Sequence, residues 1–188
     1  VPWPTQYLHL KVKCETLDAL KGIKIRVPDK NAQEMCSAIG MAPALITWGE
    51  TIAALSSGAV AGVSTSSVSG VDGKFWEFLK FFHQTNHAWS CQIVTINNDT
   101  WKKIGPANQK VIAELAKKME PGFWASSIKA DEDSSKRLTE GGMTLVKVPP
   151  QMMADLSKKT APMIAEFIKR VPASEKPIKA YLVKMKRA

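Results

Sequence analysis

Hydrophobic and polar positions alternate in short runs along the first half of the chain, and helical patterns separate these runs. Ile23, Ile25 and Val27 alternate with Lys24 and Arg26, the period of a short strand. Pro28 stops it, because proline fixes φ and offers no N–H to a ladder. A helical pattern runs from Asn31 to Ile39, and Gly40 ends it. Upstream, residues 3–13 alternate as a strand after Pro4, and Thr16 is placed to cap a short helical turn, TLDALKG. Downstream come a strand over 41–47, a helix from Glu50 to Ser57 closed by Gly58, and a strand from Ala59 to Thr65. A polar loop, STSSVSG, then leads to a helix carrying Val71, Phe75, Phe78, Leu79 and Phe82. Strands alternating with helices in this way predict an α/β fold whose sheet is dominated by parallel strands.

The second half is patterned differently. Residues 83–97, HQTNHAWSCQIVTIN, read as one long strand. At about 3.3 Å per residue it would span roughly 50 Å, more than one small sheet needs, so it is expected to cross between two lobes. Asn98-Asp99-Thr100 caps a helical turn, and Pro106 opens a helical region reaching Glu140, with Pro121-Gly122 in its middle as a kink or break. Gly141-Gly142 ends it, and residues 143–148 form a last strand. Helices over Gln151–Lys158, Ala161–Arg170 and Glu175–Lys186 complete the chain.

Strand ends are where this pattern places candidate chemistry. In open α/β sheets, ligands sit at the carboxyl ends of the strands. Arg26, Trp48 and Thr65 fall at or just past the ends of three successive strands, which share one rim if the strands are parallel. A cation, an aromatic wall and a hydroxyl on one rim suit a small organic carboxylate, which a guanidinium binds through two parallel hydrogen bonds. Each residue also has a plainer reading. Arg26 would be a surface or edge-strand arginine paired with an acid, Trp48 a core plug at a strand–helix turn, and Thr65 a helix N-cap.

Composition narrows the classes. The chain has 188 residues, 45% hydrophobic and 23% charged, enough for one domain or two small lobes. No apolar run of about 18 residues marks a membrane span. The chain opens on VPWPTQY, with neither a methionine nor a basic signal region, as a processed or excised chain would. A net charge of +9 raises nucleic acid as a partner, but the lysines are spread along the elements, and the one dense cluster is Lys179, Lys184, Lys186 and Arg187. An electropositive or simply solvated surface fits better than nucleic acid. Cys14, Cys36 and Cys91 have no zinc or C-x-x-C spacing, and buried, unreactive thiols are the expectation. His9, His83 and His87 sit in no catalytic or zinc motif, and no glycine-rich nucleotide loop is present. Nothing in the chain asks for an enzyme, a metal or a cofactor. An enzyme acting on a small acidic metabolite and a basic anion- or nucleic-acid-binding module remain as alternatives to a binding protein.

Several motifs, in order, carry a resemblance over nearly the whole chain. They are TLDALKGIKIRVP, WGETIAALSSGAVAGV, STSSVSGVDGKFWEFLKFF, TNHAWSCQIVTINNDTWKKI and GMTLVKVPPQMMADLSKKTAPMIAEFIKR. Together they resemble the solute-binding subunit of tripartite ATP-independent periplasmic (TRAP) transporters, the DctP-type family. The resemblance implies that Arg26 clamps a ligand carboxylate, that Trp48 lines the pocket and that Thr65 contacts ligand where other members have asparagine. It places Gln6 where some members carry a second arginine, Asn86 and His87 near the hinge and cleft, and Trp89 and Gln92 just beyond. Ala61 stands in place of an aspartate common in the family, with no evident consequence.

The same resemblance implies a periplasmic-binding-protein-like lobe with a long inter-lobe strand and a long kinked helix. Residues 1–90 and 131–188 would form the second lobe, and 91–130 a remnant of the first lobe with the inter-lobe helix. Such a chain would present half a cleft and bind ligand weakly, at millimolar dissociation constants or above. It implies a periplasmic protein, not itself embedded in the membrane, that takes up a small organic acid and hands it to membrane permease subunits. A homo-oligomer stays open.

Overall fold

The computed structural model describes residues 1–185, so Lys186 and Arg187 of the basic cluster lie outside the described residues. Its framework is a six-stranded mixed sheet in the order β3-β2-β4-β1-β5-β6. The strands are β1 (Gln6–Leu10), β2 (Lys24–Val27), β3 (Ala42–Leu45), β4 (Gly62–Ser66), β5 (Phe81–His83) and β6 (Thr144–Val146). Strands β2 and β3, β2 and β4, and β5 and β6 pair in parallel. Strand β1 lies at the centre, antiparallel to β4 on one side and β5 on the other. Parallel pairings dominate as the alternating pattern predicts, with β1 inserted against the common direction.

Helices cover both faces, so strand residues of both parities are buried. One face carries Leu8, Leu10, Ile25 and Val27 against Met35 and Cys36 of α1 (Lys30–Ala38) and Met152 and Leu156 of α6 (Pro150–Thr160). The other carries Tyr7, Val63 and Phe82 against Leu55 of α2 (Trp48–Ser56), Val71 of α3 (Ser67–Asp72) and Leu138 of α5 (Pro106–Glu140). Helices α4 (Asn98–Ile104), α7 (Pro162–Arg170) and α8 (Glu175–Lys184) have no buried residue. No helix among the described residues is long and apolar enough to cross a membrane.

The long helix is tied to the sheet at one end. Tyr7 Oη donates to Asp131 Oδ2 at 2.8 Å, and the Ser67 hydroxyl donates to the other carboxylate oxygen. Burial and the Asp131 carboxylate push the Tyr7 pKa up to about 12, so the phenol keeps the proton that makes this bond. Ser134 and Leu138 are the buried residues of α5. Before residue 131 the helix leaves Val111, Leu115, Met119, Trp124 and Ile128 exposed.

Five expectations are corrected. The single strand over 83–97 does not form. Strand β5 ends at His83, and the chain then runs irregularly to Asn97, its carbonyls at Ala88 and Ser90 accepting from Gln6 and Trp3. Asn86 has φ of 46°, and a strand does not continue through a left-handed residue. The polar stretch after Val63 is no loop: it completes β4 and turns straight into α3, where Ser66 Oγ accepts from Ser69 N. The helix through Phe82 is broken at Lys74, also left-handed with φ of 46°, so Phe75 falls in a short 3-10 turn and Phe82 on β5. Pro121 neither ends nor splits α5. The ring removes one N–H, whose acceptor would be the Lys117 carbonyl, and Lys117 is exposed, so water can take its place. Cys91 is exposed, while Cys14 and Cys36 are the buried thiols.

One buried histidine sets an acid limit. His9 on β1 lies among Tyr7, Phe75 and Phe82, and neither ring nitrogen has a hydrogen-bond partner among the described residues. Burial pushes its pKa from 6.5 down to about 3; the backbone of Thr65 and Ser66 pulls weakly upward without making a well-formed hydrogen bond. The unfolded chain therefore takes up this proton near pH 6.5 and the folded chain only near pH 3. Stability from a neutral His9 is complete above about pH 6.5 and falls as pH drops, by about 2 kcal/mol at pH 5. Thermal unfolding of His9→Leu is expected to show a shallower acid loss between pH 6.5 and 5 than the parent, without destabilisation at pH 7.5. An unchanged acid slope would contradict this account.

Candidate functional site

The parallel strands β2, β3 and β4 end on one rim of the sheet. Strand β1 runs the other way, so its first residue, Gln6, pairs with Ser66 at the same rim. Register then sorts the side chains. Arg26 pairs with Val63 and Ala44, so Arg26 and Thr65 emerge on the α2–α3 face, while Gln6 and Ser64 emerge on the α1–α6 face.

Arg26 is only 5% exposed. Its Nε donates to the Ile46 carbonyl at 2.9 Å, and its Cζ lies 5.8 Å from the ring centroid of Trp48. Among the described residues no carboxylate lies within 4.0 Å of the guanidinium, and the two terminal nitrogens have no protein partner. Burial lowers the Arg26 pKa and the Asp29 charge partly opposes it, yet an arginine stays protonated. Arg26 is thus neither a surface arginine nor half of an internal ion pair. Trp48 opens α2, packs at 6.3 Å against Phe75 and is 43% exposed, which is no core plug. Thr65 is buried on β4, and the N-cap of α3 is Ser66.

On the opposite face a cavity of about 350 Å³ opens at the same rim. Gln6, Asp29, Asn31, Ser64 and His87 supply its polar wall. Met35, Leu156 and Met163 supply the apolar one. His87 is held at both nitrogens: Nδ1 lies 2.7 Å from Thr85 Oγ1 and Nε2 lies 3.1 Å from Ser64 Oγ. Burial pushes its pKa down to about 4, so the ring is neutral at pH 7, one nitrogen donating and the other accepting. The Ser64 hydroxyl keeps a further hydrogen-bonding direction for the cavity. Asp29 caps α1, its Oδ1 accepting from Ala32 N at 2.9 Å.

Two sets of expected residues are therefore gathered at one rim but on its two sides: Arg26, Trp48 and Thr65 on one, Gln6 and His87 on the other. Asn86, Trp89 and Gln92 line neither the cavity nor the arginine's surroundings. All three are exposed, Trp89 at 67%, and Gln92 is engaged through its backbone with Val1. Ser64, Asp29, Asn31 and Thr85 were not foreseen. Strand alternation does put Ser64 opposite Thr65, and Asp29 before a helical run is a cap signal. Thr85 gives no such signal.

A mixed sheet covered by helices on both faces, with a small cavity at one rim, has the periplasmic-binding-protein-like fold. Comparison with known proteins agrees. Residues 9–170 match the model of DctP, the bacterial extracellular solute-binding proteins of family 7, and the chain belongs to that family. The family comprises extracytoplasmic transport proteins rather than enzymes. The sialic acid-binding periplasmic protein SiaP of Vibrio cholerae is 28% identical over 105 residues, 55% of this chain and 33% of SiaP. A TRAP solute-binding protein of Desulfovibrio salexigens, solved with orotic acid, shares the fold at a TM-score of 0.87 and 23% identity, over 100% of this chain and 62% of that one. An extracytoplasmic solute receptor of Bordetella pertussis, solved with pyroglutamic acid, does so at 0.86 and 21%, over 92% and 57%. The chain thus spans less than two thirds of the length of each of these relatives.

The Thr85–His87–Ser64 chain makes a stability prediction. Thr85→Val leaves the buried Nδ1 of His87 without its partner and is expected to cost about 1–3 kcal/mol. Thr85→Ser keeps the bond and is expected to cost less than Thr85→Val. Urea unfolding at pH 7.5 measures both, and equal losses for the two variants would contradict the role of the hydroxyl.

Proposed function

We propose that this chain is the ligand-capturing part of a TRAP solute receptor that binds a small organic acid through Arg26 and delivers it to membrane permease subunits. The carrying observation is the buried guanidinium with no internal carboxylate. A charge in that position calls for a partner from outside, and the two free nitrogens present the fork that a carboxylate fits. Trp48 forms the wall beside it, and Thr65 lies on the same face. The orotic and pyroglutamic acids of the two solved relatives are carboxylates of fitting size, which supports the reading.

Residues 1–90 and 131–188 are the second lobe in this reading. Residues 91–130 reach toward a first lobe, consistent with the exposed apolar positions of α5 before residue 131. Closure of two lobes about a hinge at Asn86–Gln92 would bury the ligand and present a closed receptor to the permease.

Replacing Arg26 by lysine keeps the charge and loses the fork. Calorimetric titration with a panel of organic acids at millimolar concentration is expected to show binding by carboxylates but not by chloride, and a loss of about 1.5–3 kcal/mol in Arg26→Lys. Equal affinity in the lysine variant would overturn the clamp.

A further inference from the structure

We infer that Asp29 selects which acids this site accepts: those with one carboxylate and a hydrogen-bond donor at the far end, and not dicarboxylates. The inference rests on the Arg26 clamp proposed above. It comes from the charge inventory of the 350 Å³ cavity on the other side of the rim. Among the described residues no lysine or arginine lines it, and Asp29 is its one charged side chain. His87 is held neutral between Thr85 and Ser64.

Asp29 is exposed and has no ion-pair mate among the described residues. One of its oxygens is tied to Ala32 N as the cap of the nine-residue helix α1, which sets its position. The other oxygen has no partner among the described residues, and no cation there lies within 4.0 Å of the carboxylate. Its neighbour Glu34, by contrast, is paired with Arg170 at 2.9 Å. A ligand held at Arg26 and reaching over the rim would bring its far end toward this carboxylate. A hydroxyl or a lactam N–H can donate to the unpartnered oxygen. A second carboxylate would meet like charge there, because the nearby cation, Arg26, is already engaged by the first. Met35, Leu156 and Met163 then contact the apolar body between the two ends.

Two matched pairs test this on the protein: 4-hydroxybutyrate against succinate, and pyroglutamate against glutarate. Dissociation constants come from calorimetric or NMR titration at fixed ionic strength. The donor-bearing acids are expected to bind roughly tenfold tighter than their dicarboxylate partners. Asp29→Asn preserves a good helix cap and is expected to bring each pair to within about twofold, by a gain for the dicarboxylate. Equal affinities within the pairs in the parent, or an unchanged ratio in Asp29→Asn, would overturn the role of Asp29. If Arg26→Lys still weakens all four acids in that event, the clamp stands and only the selection falls. If Arg26→Lys changes none of them, or none of the four binds, the clamp falls and this inference with it.

Discussion

One buried charge without an ion-pair partner governs this structure. Burying a guanidinium is costly unless something satisfies it, and Arg26 receives from the protein one carbonyl and one aromatic ring, but no carboxylate within ion-pair distance among the described residues. The sheet is what makes that arrangement possible. Strand β2 sits between β3 and β4, both parallel to it, so the end of β3 brings the Ile46 carbonyl and then Trp48 alongside the end of β2. The guanidinium is thereby oriented by neutral groups, and its two outer nitrogens have no partner among the described residues.

Everything else at the rim stays neutral or negative. His87 is kept uncharged by burial and by two hydroxyls, so it adds hydrogen bonding without adding a second cation. The central, reversed strand β1 contributes from the opposite direction: its first residue, Gln6, reaches the rim, while its buried interior carries His9 and the Tyr7 that ties down α5. A single strand thus links the site, the acid limit of the fold and the anchoring of the long helix.

Much of this was legible along the chain. The β2 strand, its stop at Pro28, the α1 helix and the placing of Arg26, Trp48 and Thr65 near the rim follow from period-2 alternation and from proline and glycine punctuation, which are local signals. What was misread depends on backbone states that alternation does not encode. Lys74 and Asn86 adopt left-handed φ, and each lies in a break across which the hydrophobic pattern would have continued an element. Pro121 sits inside an unbroken helix because its surroundings are solvent, a tertiary fact. The site was legible as types of residue but not as two faces. Register alone divides Arg26 from Gln6 and His87, and register is set by which strands become neighbours. The antiparallel insertion of β1 could not be read from its own sequence.

The central claim is that the outer nitrogens of Arg26 are free for a carboxylate. The most direct measurement follows the Arg26 side-chain N–H resonances by nitrogen-15 NMR during titration with pyroglutamate, with sodium chloride at equal ionic strength as the reference. The account predicts a saturable shift confined to the Arg26 guanidinium and the Trp48 indole under pyroglutamate, and none under chloride. Arg26 signals that respond identically to both salts, or to neither, would mean that the guanidinium is already satisfied within the fold and is not the clamp.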